Sequence, residues 1–200
     1  MKTRIVIVLG TVLLTAMGIV GQSPCGDTDY DCKIAALRTR ITAEPKNSEL
    51  HYNLAAALQG KGLYEESIPE LTTYLSSGVT NAEYLADGFA TRAKAYRNTG
   101  KYDLAIADYS EVIRRRSSDA ASYFGRGYSY MELKKYPEAT ADFTKVIALQ
   151  PSNHEAFYNR GTIHYRLKEY SLAITDLTKY IDLNKAEPAY LADGYAVITF

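Results

Sequence analysis

The sequence predicts an all-α solenoid of antiparallel helix pairs, and three observations carry that prediction. A twelve-residue segment recurs at a separation of 34 residues. Small side chains recur at two fixed places in each copy. Large residues stand three or four positions from them, the spacing that brings side chains to one face of a helix. A fixed period of this length marks stacked helical units, each of which needs a neighbour to bury its apolar face.

Taken in order, the first element is an export segment. Lys2 and Arg4 precede an apolar run from Ile5 to Val20, and polar Gln22 and Ser23 follow it. This is the layout of a secretory signal, so residues 1–24 read as a signal peptide or as an uncleaved membrane anchor tethered through residues 5–20. The run is shorter than the roughly twenty residues that cross a bilayer comfortably as a helix. Either way the expectation is an exported chain, periplasmic or extracellular, or one held at the membrane. Gln22-Ser23-Pro24 lacks the aliphatic and small residues expected before a lipidated cysteine, which argues against lipidation of Cys25. Cys25 and Cys32 are the two cysteines. In an exported chain they can close a small disulfide loop. They can equally remain free thiols, with Cys32 inside a helix. Their spacing fits neither Cys-x-x-Cys redox chemistry nor a zinc site.

Residues 25–47 read as a capping helix. Ile34, Leu37 and Ile41 make a stripe at helical spacing, and Glu44-Pro45-Lys46-Asn47 supplies the stop. The repeated body follows. Asn98-Thr99-Gly100-Lys101-Tyr102 through Tyr109 recurs as Glu132-Leu133-Lys134-Lys135-Tyr136 through Phe143, and again as Arg166-Leu167-Lys168-Glu169-Tyr170 through Leu177. Gly60 through Leu71 is the same segment displaced by 38 residues. Ala55, Ala93, Gly127 and Gly161 hold the eighth place of each unit, and Ser67, Ala105, Ala139 and Ala173 the twentieth. Small residues there let two antiparallel helices approach closely. His51, Phe89, Tyr123 and Phe157 hold the fourth place and Leu58, Tyr96, Tyr130 and His164 the eleventh.

These residues resemble the tetratricopeptide repeat across 48–187. The resemblance implies four units at about 48–81, 86–119, 120–153 and 154–187, wound as a right-handed superhelical solenoid. It also implies that the first helices line a concave groove through their second, fifth, ninth and twelfth places. Carried onto this chain, those places give Tyr52, Lys94, Arg97, Phe124, Tyr128, Tyr158 and Tyr165 as the groove candidates, with Glu49, Gln59, Asp87, Met131, Glu155 and Thr162 among their neighbours. One subset of the family grips a C-terminal carboxylate with lysine and asparagine; Tyr52 and Ala56 stand where the first of those would be. Residues 188–200 read as an incomplete terminal helix, because Tyr190 through Ala196 repeats Tyr84 through Ala90 and the apolar Val197-Ile198-Thr199-Phe200 follows. Such an end either packs back on the fourth unit or joins another copy.

Composition narrows the function. Eighteen tyrosines against five phenylalanines and no tryptophan favour an aromatic surface that also carries hydroxyls. Twenty-three basic residues balance twenty-three acidic ones, so no net basic face argues for nucleic acid. The Arg114-Arg115-Arg116 run reads as a solvated helix end with a favourable dipole interaction. Arg92, Arg126 and Arg160 recur at the seventh place, where an aliphatic stem packs between helices and the charge reaches solvent or a neighbouring carboxylate. Asp108, Asp142 and Asp176 recur too and read as solvated or turn-pairing groups, because successive helices do not converge them on one ion. No His-Glu-x-x-His pair, phosphate-cradling loop or nucleophile elbow is present. The expectation is a non-enzymatic scaffold without cofactor or metal that binds a protein or peptide; the alternative is a structural module that self-associates through its C-terminal helix.

Overall fold

The computed structural model describes residues 25–184. The export segment expected at 1–24 and the incomplete terminal helix expected at 188–200 therefore lie outside the described residues. Within them the chain is all-α, with nine helices and no strand. A leading helix α1 (Tyr30–Ala43) precedes four pairs: α2 (Ser48–Gly60) with α3 (Tyr64–Ser76), α4 (Ala82–Asn98) with α5 (Tyr102–Arg115), α6 (Ala120–Glu132) with α7 (Tyr136–Leu149), and α8 (His154–Arg166) with α9 (Tyr170–Leu183). Each helix packs on the next in sequence, and the first helices of successive pairs also touch one another.

The turn inside each pair is a repeated backbone solution. Gly62, Gly100, Lys134 and Lys168 take positive φ of 82°, 74°, 58° and 63°. The amide of the following residue then donates to the carbonyl five residues earlier: Leu63 to Leu58 at 2.8 Å, Lys101 to Tyr96 at 2.8 Å, Lys135 to Tyr130 at 2.9 Å and Glu169 to His164 at 2.9 Å. This left-handed cap satisfies carbonyls at the end of the first helix. The turns between pairs instead supply side-chain caps. Asn81 accepts from the amides of Glu83 and Tyr84, Asp119 from Ser122 and Asn153 from Ala156. The longer linker between the first two units is spent on the start of α4, which runs 17 residues against 13 for α2, α6 and α8.

Close packing follows the small residues. Ala55, Ala93, Ser67, Ala105 and Ala139 are wholly buried, and Ala173 is nearly so. A Cβ added at Gly127 would stand 3.1 Å from the Asp142 Cβ, and one at Gly161 would stand 3.0 Å from the Leu177 Cγ. Phe143, Val146, Ala139, Ala156 and Ile163 form one cluster that joins the third and fourth units. Burying a side chain such as Phe143 contributes on the order of 2–3 kcal/mol.

The recurring arginines and aspartates are one device, and this corrects the sequence reading of the aspartates. Asp108, Asp142 and Asp176 are buried, not solvated. Arg92 donates through Nε and Nη2 to both Asp108 oxygens at 2.7 and 2.9 Å. Arg126 does the same to Asp142 at 2.8 Å each, and Arg160 to Asp176 at 2.8 and 2.7 Å. The third nitrogen reaches into the preceding unit: Arg92 Nη1 donates to Thr72 at 3.2 Å, Arg126 to Ser110 at 3.0 Å and Arg160 to Thr144 at 2.9 Å. Rings flank the guanidinium groups, with Phe89 and Tyr96 at 5.8 and 5.6 Å from Arg92, Tyr123 and Tyr130 at 5.6 and 5.9 Å from Arg126, and Phe157 alone at 5.9 Å from Arg160. The bidentate bond to aspartate raises the Arg92 and Arg126 pKa further against the opposing pull of burial. The first unit carries Leu54 at the arginine place, and there His51 Nδ1 meets Glu70 at 2.6 Å.

The arginine run at the end of α5 is also more than a solvated end. Arg116 donates to Glu83 and Asp87 of α4 at 2.6 and 2.7 Å, and Arg115 lies over the Phe89 ring at 4.9 Å. Arg114, with a side chain 64% exposed, fits the original reading. At the N-terminus Cys25 and Cys32 are joined as a disulfide with Cα atoms 5.6 Å apart, tying the residues before α1 to its first turn.

Candidate functional site

Two adjoining cavities run along the first helices. One, of about 750 Å³, is lined from α2, α4 and α6, from Tyr109 of α5, and from the turn before α8 together with Glu155 of its first turn. The other, of about 580 Å³, is lined from α4, α6, α8 and α9 and from Tyr102 at the start of α5. Arg97, Phe124 and Glu155 belong to both, so the two form one groove with a shared middle.

Six of the seven groove candidates line it. Tyr52 and Lys94 lie in the larger part, Tyr128 and Tyr158 in the smaller, and Arg97 and Phe124 at the junction. Tyr165 lies outside both. Its ring stands edge-on to Tyr170 at 6.0 Å, so it packs over the turn of its own pair. Among the neighbouring places, Gln59 is buried and donates to the Thr91 carbonyl at 2.8 Å, while Asp87 is held by Arg116. Met131 packs on the core of the third unit.

Several lining residues stand outside the four places that the resemblance supplies. His154 opens α8, Asn98 closes α4 and Tyr102 opens α5. Tyr180 comes from a second helix, reaching the groove beneath Tyr158 with ring centroids 5.0 Å apart. Its counterpart one end earlier, Tyr74, lies 5.2 Å from Tyr52. The common signal was a tyrosine pair at the same two places in units one and four, at residues 52 and 74 and at 158 and 180.

Electrostatically the groove is mixed. Arg97 lies over the Tyr128 ring with its guanidinium carbon 5.6 Å from the centroid. Burial pushes the Tyr128 hydroxyl up, aided by Glu132 and opposed by Arg97. Burial also raises Tyr109, again opposed by Arg97. A Cβ at Gly125 would stand 2.5 Å from the Tyr109 hydroxyl oxygen, so the glycine of α6 makes room for that ring end beside the groove. The arrangement offers rigid ring faces, hydroxyls and amides, which suit recognition of a chain. Among the described residues no three metal-ligating side chains converge, and no helix is long and apolar enough to cross a membrane.

Paired helices stacked at a fixed period around an open groove define a helical-repeat solenoid. Tetratricopeptide-repeat family models match residues 91–145, 127–168 and 154–187, so residues 91–187 are tetratricopeptide repeats. No curated protein matches it in sequence. Among solved structures it is similar to MamA, at 20% identity and a TM-score of 0.73 over 81% of this chain and 92% of that one. It is similar to YrrB, described as a tetratricopeptide-repeat protein with an unusual peptide-binding site, at 19% identity and a TM-score of 0.72 over 82% of each chain. A thermophilic tetratricopeptide-repeat protein of Thermus thermophilus matches at 16% identity and a TM-score of 0.64, over 86% of this chain and 92% of that one. Likeness at these identities shows the fold.

Proposed function

We propose that this chain is a non-enzymatic scaffold that holds a segment of a protein partner, extended or helical, in the groove along its first helices. One observation carries the reading: a groove with Tyr52, Phe124, Tyr128 and Tyr158 along it and Arg97 at its middle. Half-buried rings of fixed shape bind with little entropy to lose, and their hydroxyls add direction. The peptide-binding site named for YrrB supports the same use of the fold. The chain would do this work after export, in an envelope or secretion complex, free or tethered through residues 5–20.

The second reading, assembly of copies through residues 188–200, draws on the exposed Leu167, Tyr170, Leu172 and Ile174 at the last pair. One experiment separates the two. The exported chain is used as bait in its native extract beside Tyr128→Ala/Tyr158→Ala, with Tyr165→Ala as a control outside the groove. A dominant partner retained by the control and lost by the double variant supports the groove. Recovery of the chain alone from every bait overturns it in favour of self-assembly.

A further inference from the structure

We propose that the groove reads charge pattern as well as shape, taking a segment in which an acidic residue lies against Arg97 and Lys94 and a basic residue reaches Glu155. This rests on the groove reading above and adds the chemical class of the occupant.

The argument begins with a contrast inside α4. Arg92 is saturated: two bonds to Asp108, one to Thr72 and two ring faces. Arg126 repeats all of these contacts, and Arg160 repeats the three hydrogen bonds with one ring face, Phe157. Arg97, less than two turns further along the same helix, forms no ion pair among the described residues, and neither does Lys94, one turn before it. Both line the groove. The fold thus supplies a carboxylate to each arginine that holds the units together and none to the two cations facing the groove.

Arg97 is also held ready. Its guanidinium carbon lies 5.6 Å from the Tyr128 ring centre, a cation–π contact that restrains the side chain without using the N–H groups with which a guanidinium binds a carboxylate through two parallel bonds. Part-burial makes a bond there stronger than one formed in open water. Glu155 lines both parts of the groove and likewise forms no ion pair among the described residues. It stands on α8, two first helices away from Arg97, so an occupant crossing the groove meets positive charge from α4 and negative charge from α8. The remaining acid of the larger part, Asp119, is committed as the cap of α6.

The test uses a bead-displayed library of acetylated, amidated decapeptides, panned on the full exported chain, on Arg97→Glu and on Glu155→Lys. A second library with free C-termini separates a side-chain carboxylate from a terminal one. The wild-type chain is expected to enrich peptides carrying both an acid and a base. Arg97→Glu should lose the acidic preference, with about tenfold weaker binding of the selected peptides for the missing charge-assisted pair. Glu155→Lys should lose only the basic preference. Enrichment of aromatic peptides without charge preference, or an acidic preference that survives Arg97→Glu, overturns the charge reading and leaves the groove reading standing. No enrichment by the wild-type chain from either library sinks the groove reading itself, and this one with it.

Discussion

At the scale of single residues, the turn inside each pair shows what a fixed backbone asks of its side chain. Gly62 and Gly100 meet the left-handed conformation freely, whereas Lys134 and Lys168 hold it with φ of 58° and 63°. A Cβ in that region costs about 1–2 kcal/mol, part of which glycine returns through the freedom it keeps in the unfolded chain. Lys134→Gly should therefore raise stability by about 0.5–1 kcal/mol, seen as a higher urea midpoint at unchanged slope. The Lys134 ammonium makes no ion pair among the described residues to offset the gain. The turn itself was legible from the alignment of Gly100 with Lys134 and Lys168. The strain was not, because the alignment shows only that lysine is tolerated there.

At the scale of helices, an arginine and an aspartate clasp each of the last three pairs, and the arginine also reaches back to the pair before. Their sequence signature was present: in three units an arginine at the seventh place is followed 16 residues later by an aspartate. Reading each residue on its own helix hid it, since the two stand on antiparallel helices and meet only once the pair closes. The side chains of Arg126 and Asp142 are 19% and 7% exposed, so breaking the bond strands a charge inside the protein. Arg126→Met should cost about 3 kcal/mol, and Arg126→Met/Asp142→Leu should recover much of it, because a buried ion pair exceeds its apolar replacement only slightly if at all. A double-mutant cycle by urea unfolding measures the coupling. The same limit governs the groove. From the four places of the first helix, Tyr52, Lys94, Arg97, Phe124, Tyr128 and Tyr158 line the two cavities, but residues at helix ends and on α9, such as His154 and Tyr180, enter only through the angle between helices. Tyr165 lies outside both cavities for the converse reason: its place faces the groove in pattern, yet its ring stands against Tyr170.

At the scale of the whole molecule, the fold was legible almost entirely, because a 34-residue period states the same packing problem several times over. Burial of tyrosine is spread along that array, with Tyr74, Tyr109 and Tyr128 all raised above the usual value of 10.0, in each case chiefly by burial. A raised folded pKa means that their stabilisation is complete below pH 10 and is lost as pH rises through the folded values. Absorbance titration should show these rings ionising after the exposed tyrosines in the native chain and together with them in urea, with the native state loosening as they go. The junctions add a constraint that the period conceals. A Cβ at Gly60 would strike the Tyr30 ring, one at Gly88 the Tyr74 ring and one at Gly125 the Tyr109 ring, and each glycine holds a different place in its unit. Three seams thus carry three different keys. A gene with its repeats shuffled would keep every helix and every turn, yet would set these rings against residues that have no notch for them, so the succession of repeats is itself specified.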